Sequence, residues 1–204
     1  MTGPLRNRVD PFGHIHAVPE RGDLMGNRGC LHGDRRHLLR EHSSYKAWIS
    51  CNLVRGDRRQ TLMAPGLYTQ LFFRDEATAM AAGHRPCFEC RHAHAKAFMA
   101  AWGEAHGIAD PRVQQVDAVL HAERLGSRRA YNGGALPNGA MIGTADKACS
   151  WLAWEGGFHP WSFADYGPPE APTGDLVLLT PPSMVAAIAA GYPPGVHGSV
   201  IPLP

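Results

Sequence analysis

The sequence predicts an α+β fold of small β hairpins and three to four helices. Two observations carry that expectation. Apolar residues recur at helical spacing in segments that open on a capping residue or proline and close on glycine. Short stretches alternate apolar and polar residues between Gly- and Pro-containing turns. The size agrees: 204 residues suit one domain or two small ones sharing a core, and an apolar fraction of 44% is that of a globular chain.

Residues 1–29 are rich in Gly, Pro, Arg and Asn and lack a helical period. They read as an irregular arm with a short strand around residues 14–18. Residues 25–30 read as a tight loop, because their glycines permit positive φ. Residues 35–42 are expected to form a short basic helix. Residues 47–54 alternate, with Ile49, Cys51 and Leu53 on one face. A turn over residues 55–58 then lets residues 60–63 return as a second strand. Pro65-Gly66 turns again, and residues 67–73 read as a strand.

Asp75 is a good N-cap for a helix over residues 76–82, with Ala77, Met80 and Ala81 on its buried stripe and Gly83 as the stop. A longer helix after Cys90 has Phe98, Ala101, Trp102 and Ala105 as its apolar face and ends at Gly107. Asp110-Pro111 opens a third helix with Val113, Val116 and Leu120 inward, closed by Gly126. Residues 151–154 and 158–161 flank Gly156-Gly157 as an aromatic hairpin. Residues 176–179 read as a buried strand, and Thr180-Pro181-Pro182 opens a last helix that closes at Gly191. Residues 81–86 echo residues 189–194, each after an Ala-rich helix.

The strongest chemical signal is Pro86-Cys87-Phe88-Glu89-Cys90. A Cys-x-x-Cys turn aims two thiolates at one ion, and zinc accepts four such ligands tetrahedrally. The competing redox reading needs a helix that begins inside the motif after a βαβ strand. Here a short helix is expected to end just before it.

Residues 71–91, LFFRDEATAMAAGHRPCFECR, resemble the second half of the Ada-type metal-binding module of bacterial alkyl-DNA repair proteins. In both, a strand leads to a short capped helix, then Ala-Gly, Arg-Pro-Cys-x-x-Cys and a basic residue. The flanking regions resemble a bacterial protein family with Met-Gly-Asn-Arg-Gly near the start, a likeness that implies no particular activity. The Ada likeness implies a first ligand pair upstream of the strand. Cys30 is its best match and His32 the expected fourth ligand, because Asn27 stands where a second thiolate would. The likeness thus implies zinc held by Cys30, His32, Cys87 and Cys90. Cys51 is an alternative third or fourth ligand, although its alternation reads as a buried apolar thiol, and His121 is a further alternative. Cys149 is expected to be buried; His92 and His94 are expected at the surface.

The likeness also implies a function. In Ada-type modules a zinc-bound thiolate accepts an alkyl group from DNA, and Cys30 would be the acceptor here. Three thiolates and a neutral histidine leave about −1 on the centre, against about −2 for four thiolates, so the site leans structural. Arg28, Arg35, Arg36, Arg58, Arg59 and Arg85 cluster in sequence around it and would meet the phosphates of DNA or another nucleic acid. A net charge of only +2 gives no global signature of such a binder.

An enzyme is the second reading. Nucleobase deaminases combine His-x-Glu with Pro-Cys-x-x-Cys around a zinc-bound water, and this chain has His121-Ala122-Glu123. The order is reversed, and on a helix His121 and Glu123 stand about 200° apart. Asp117 and His121 are i,i+4 neighbours, which predicts a carboxylate-oriented histidine and a possible general base. The Trp151, Trp154, Phe158 and Trp161 group reads as core before it reads as a base-stacking platform. No P-loop and no Gly-x-Ser-x-Gly elbow is present.

The expected organisation is an N-terminal arm (1–28), an Ada-like zinc-binding region (29–107) and an α+β C-terminal region (108–204) packed onto it. Residues 1–10 are polar and the longest apolar stretch is too short to span a bilayer. A cytoplasmic protein with no membrane partner is the expectation.

Overall fold

The computed structural model describes residues 3–34, 36–54 and 61–200. In chain order they form β1 (Arg8–Val9), β2 (Ile15–His16), β3 (Leu24–Asn27), β4 (Ile49–Asn52), β5 (Leu71–Phe73), α1 (Glu76–Ala81), β6 (Arg85–Pro86), α2 (His92–His106), α3 (Val113–Leu125), β7 (Met141–Thr144), β8 (Ser150–Trp154), β9 (Gly157–Pro160), β10 (Leu176–Leu178) and α4 (Pro182–Ala189). The fold is mixed α+β, as expected. One sheet runs β2-β1-β5-β3-β4-β6 and the other β10-β7-β8-β9. No helix among the described residues is long and apolar enough to cross a membrane.

Helix α1 sits where the packing layers meet. All six of its residues are buried. Met80 joins the cluster made by Phe98, Trp102, Val116, Leu120 and Met184 of the other helices. Ala79 packs with Val9, Ile15, Leu71 and Phe73 of the first sheet. Ala77 and Ala81 pack with Met141, Leu152 and Leu179 beside the second sheet. A helix enclosed on every side has no room for bulk, which accounts for its alanines. Both its ends are satisfied internally. Asp75 accepts from Thr78 N at 2.8 Å and also from Tyr166 Oη and His197 N, each at 2.9 Å. At the other end Gly83 (φ 80°) donates to Met80 O and His84 N donates to Ala79 O. That is a Schellman turn. Helix α4 ends identically, with Gly191 donating to Ile188 O and Tyr192 to Ala187 O. The echo between residues 81–86 and 189–194 is therefore one cap used twice.

Several local expectations hold. Gly107 (φ 67°) stops α2 and Gly126 caps α3. The aromatic hairpin is β8–β9, joined by Glu155-Gly156 with both φ positive, as a type I′ turn requires. Trp151 is 3% exposed and Trp161 donates to Thr78 Oγ1, so these rings serve the core.

Other expectations are corrected. The short strand expected around residues 14–18 is β2, but the rest of the arm is not irregular: β1 and β3 join the same sheet, and β3 takes up much of the stretch read as a tight loop. Residues 36–42 are not helical: Gly33 and His37 close a tight turn in which Arg36 adopts φ 57°, and His32 bridges Leu38. Strand β4 pairs with β3 and β6 rather than with residues 61–63, which form no strand; residues 55–60 lie outside the described residues. The strand expected over residues 67–73 is only Leu71–Phe73. Ala105 is exposed, because α2 turns it away from α4.

Two of the arginines expected to face nucleic acid are interior. Arg85 is 6% exposed and grips Asp117 through two bonds of 2.7 and 2.9 Å. Arg28 is 1% exposed and lies over the Trp48 ring at 4.3 Å. Arg36 is exposed, and Arg35, Arg58 and Arg59 lie outside the described residues.

Two measurements check this interior. Asp117→Ala is expected to cost about 3–5 kcal/mol in a urea melt, because it strands the Arg85 charge in the core; a loss within about 0.5 kcal/mol would mean that solvent already serves Arg85. His84 is 0% exposed among Trp48, Phe73, Arg28 and Arg124, and burial, aided by the two guanidinium charges, holds its pKa well below the ordinary value. As pH falls through the ordinary histidine range, the unfolded chain takes up a proton that the folded chain refuses. Stability present above that range is therefore lost on acidification. Between about pH 7.5 and 5.5 the wild type should lose roughly 1.4 kcal/mol more than His84→Phe. Parallel stability curves would show that His84 protonates in place.

Candidate metal centre

Cys51, Cys87 and Cys90 bring their three sulfurs within 4.8 Å of one another. The backbone explains how. Strands β4 and β6 run parallel, with Ile49 beside Arg85 and Ser50 beside Pro86. Continued by one residue, that register sets Cys51 beside Cys87, and Cys87 N donates to Ser50 O at 2.9 Å. The chain then turns: Arg91 N reaches Cys87 O at 3.0 Å, and Cys90 is returned to the same spot at the start of α2. Asn52 Nδ2 holds Cys90 O at 2.8 Å from the strand side.

A layer of polar contacts supports the sulfurs. Glu89 N donates to Cys87 Sγ at 3.4 Å. Arg91, next to Cys90, donates to Ser50 Oγ at 3.0 Å and pairs with Glu76 Oε2 at 2.8 Å. Glu76 also accepts from Tyr192 Oη at 2.5 Å and Gly195 N at 3.0 Å. Arg91 thus ties the residue before Cys51 and the residue after Cys90 to the central helix. The neighbouring sulfurs share one proton: Cys87 is held below the ordinary thiol range by its contact with Cys51, and Cys51 is pushed up by the same contact and by burial. An ion bound by all three sulfurs would displace the shared proton, since the thiolate is the ligand form. Cys51 and Cys87 are buried and Cys90 is half-buried, so one side of the centre is open to solvent.

The expected ligands Cys30 and His32 do not belong to this cluster. The reason lies in β3. Asn27 pairs with Ile49 and Met25 with Cys51, so Cys30 runs on past the opposite end of the ladder from Cys51. Cys30 is exposed. His32 is 5% exposed, with Nδ1 on Thr69 Oγ1 at 2.6 Å and Nε2 on Ala64 O at 3.2 Å. Both ring nitrogens are engaged in holding a loop. Cys149 is exposed, not buried as expected, while His92 and His94 are at the surface.

The deaminase constellation is dispersed. Asp117 belongs to Arg85, and His121 Nδ1 lies 3.2 Å from Arg124 Nη2 instead. Glu123 accepts from Ser183 N at 3.1 Å and Ser183 Oγ at 2.6 Å. It thereby caps α4, whose own N-cap Pro181 makes no side-chain bond.

A second cluster was not anticipated. Asp10, His14 and His16 bring a carboxylate oxygen and two ring nitrogens within 4.8 Å of one another. The β1–β2 hairpin makes it: Asp10 accepts from His14 N at 2.9 Å, and its other oxygen lies 2.7 Å from His16 Nε2. An Asp-x₃-His-x-His spacing across a tight turn was the available signal. One carboxylate and two imidazoles could also hold a divalent cation.

Ligand substitutions separate the sets of cysteines. Metal analysis of purified variants is expected to show loss of the ion in Cys51→Ala, Cys87→Ala and Cys90→Ala, with full content in Cys30→Ala and His32→Ala. A full complement in Cys51→Ala would dismantle the three-sulfur centre.

No family model, curated protein or solved structure matches the chain.

Proposed function

We propose that the protein is a zinc protein whose ion, held by Cys51, Cys87 and Cys90, mainly fastens the parallel β4–β6 pair to the start of α2. The observation that carries this reading is the convergence of three sulfurs from two strand ends and one turn. Thiolate sets favour zinc, copper(I) or iron–sulfur clusters. Two of the three sulfurs are buried and all three are fixed to the β4–β6 ladder and the start of α2, so an ion held by them would fasten these elements whatever occupies its fourth position. Three thiolates would leave about −1 on a zinc centre. The fourth position lies on the Cys90 side, where water or an added ligand reaches it.

A catalytic role is less well supported. A zinc hydrolase needs a carboxylate or imidazole placed to move a proton at the bound water. Glu123 and Asp117 are committed to Ser183 and Arg85, and His121 stands beside Arg124. An alkyl acceptor, if this centre serves as one, would be Cys90 rather than Cys30, because Cys90 is the least covered of the three sulfurs. The nucleic-acid partner implied by the Ada likeness draws on Arg36 at the surface, with Arg28 and Arg85 withdrawn into the interior.

Chelation tests the structural role. Removal of zinc by a strong chelator should lower the melting temperature by about 6 °C or more, since about 3 kcal/mol or more of linked stability corresponds to roughly 2–4 °C per kcal/mol in a chain of this size. Re-addition should restore it. A metal-free protein that melts with the holoprotein rules the structural role out.

A further inference from the structure

The β4–β6 pair has a second end. The same register that places Cys51 beside Cys87 places Trp48 beside His84, three residues earlier on each strand, and their rings lie 5.1 Å apart. Two guanidinium groups rest on Trp48: Arg28 at 4.3 Å and Arg124 at 4.2 Å. This end opens into a cavity of about 660 Å³. Arg28, Arg124, Arg128 and Arg129 line it, against two carboxylates, Glu41 and Glu123. Neither carboxylate answers these arginines with its side chain. Glu41 binds Arg6 at 2.5 Å and meets Arg28 only through its backbone carbonyl, while Glu123 binds Ser183.

Arg28 is the telling residue. It is 1% exposed, and Nη1 alone is bonded, to Gly13 O at 3.0 Å and Glu41 O at 3.1 Å. Its Nε and Nη2 have no hydrogen-bond partner among the described residues, and neither does Arg124 Nε. A buried charge is normally paired, because desolvation costs several kcal/mol. Here a buried and a half-buried arginine share one indole, and neither makes a hydrogen bond to a carboxylate among the described residues: Arg28 meets two backbone carbonyls, and Arg124 meets the carbonyls of Gly83 and Lys46 and His121 Nδ1. Burial accordingly lowers Arg28 to about 9 and Arg124 to about 10. Among the described residues, Glu41 and Asp10 act on Arg28 and Asp117 on Arg124 only from a distance, and none of them forms an ion pair with either guanidinium.

The cavity continues. A second space of about 410 Å³ shares Phe12, His14, Arg124 and Arg128 with the first and adds Lys147. Phe12, Leu178 and Leu179 give the wall an apolar side. The volume exceeds what a bare inorganic anion fills and matches that of a metabolite-sized ligand.

We propose that this cavity binds a small phosphorylated metabolite, with its phosphate on Arg124 and Arg128, backed by the buried charge of Arg28, and its organic body along Phe12 toward Lys147. Guanidinium forks suit phosphate oxygens, and the surplus of positive charge suits a dianion.

Isothermal titration of the zinc-loaded full chain with AMP, and separately with inorganic phosphate, tests this. AMP is expected to bind one equivalent and to raise the melting temperature, with inorganic phosphate weaker. Arg124→Gln and Arg128→Gln should each lower AMP affinity about tenfold or more. Those two arginines also bond backbone carbonyls, at Gly83 and Leu179 for example. The exposed variants Lys147→Gln and Arg129→Gln therefore provide the measurement at unchanged melting temperature, and each should weaken AMP severalfold. No heat and no thermal shift with either probe overturns the proposal, as does AMP affinity unchanged in all four variants. A single-stranded oligonucleotide that binds where AMP does not moves the charge to a nucleic-acid role and overturns it equally. Stabilisation matched by sodium chloride at equal ionic strength reduces the effect to screening and also defeats it.

Discussion

The parallel pairing of β4 and β6 is the constraint on which the rest of the molecule depends. Its ladder is short: Arg85 N to Trp48 O at 3.1 Å and Cys87 N to Ser50 O at 2.9 Å are its backbone bonds on one side. Two such bonds contribute about 1–3 kcal/mol net, while fixing each residue costs about 1–2 kcal/mol. The pair cannot hold itself. It is held at both ends by side chains. At one end three sulfurs converge; at the other, Trp48 and His84 pack together at a tilt of 39°, with two arginines against the indole. Between them the Arg85–Asp117 pair fastens the strand to α3. The central helix α1 feeds straight into this arrangement through the Gly83 turn. A side chain at Gly83 would face a left-handed φ and would also meet Arg124 Cδ at 2.9 Å, so the turn and the arginine stack require the same glycine.

Charge is separated along this pair by design of the register. An ion with three thiolates would leave about −1 at the cysteine end, and the arginine end carries a surplus of positive charge. Three residues of strand span roughly 10 Å. Across water and physiological salt that distance is about one screening length, but the intervening medium is packed protein, where screening is weaker. Such a negative centre would therefore moderate the cost of keeping Arg28 and Arg124 charged. The Arg91–Glu76 ion pair joins the cysteine end to the central helix.

Much of the local structure was legible because it is decided by single residues. Asp75, Gly83, Gly107, Gly126 and Gly191 each have one physical reason to stand where they do, and the helices begin or end there. Cys87 and Cys90 were legible because their spacing alone makes a ligand pair. Cys51 was weighed only as an alternative, because strand alternation assigned it to an apolar face. That rule assumes a half-buried strand, whereas β4 is covered on both sides: Ser50 is 0% and Cys51 7% exposed. The parallel partner that makes Cys51 a neighbour of Cys87 is separated from it by residues 53–84, and nothing local announces it. Cys30 and His32 were expected by likeness to a module whose first ligand pair lies upstream. Here the antiparallel β3–β4 register sends that stretch to the far end of the ladder. The arginines misled for a related reason. Sequence proximity to the cysteines was read as a surface patch, but arginine is also the residue best able to stack on an indole or fork onto a carboxylate inside a protein, and Arg28 and Arg85 do those two things.

The two ends of the β4–β6 pair also constrain each other. Trp48 and Cys51 sit on one strand, His84 and Cys87 on the other, at the same offset, so any slip that parts the sulfurs parts the rings. A ligand phosphate that neutralised Arg28 and Arg124 would lower the repulsion across Trp48 and favour the closed pair. An ion at the cysteines would favour the same closed pair from the other end. By linkage each would then strengthen the other, with no contact between them and no change beyond the fixing of two short strands. The coupling is bounded by what the pair costs to order, a few kcal/mol at most. It would be carried by the ladder itself, since Arg85 is locked to Asp117 and leaves the strands no route to relax independently.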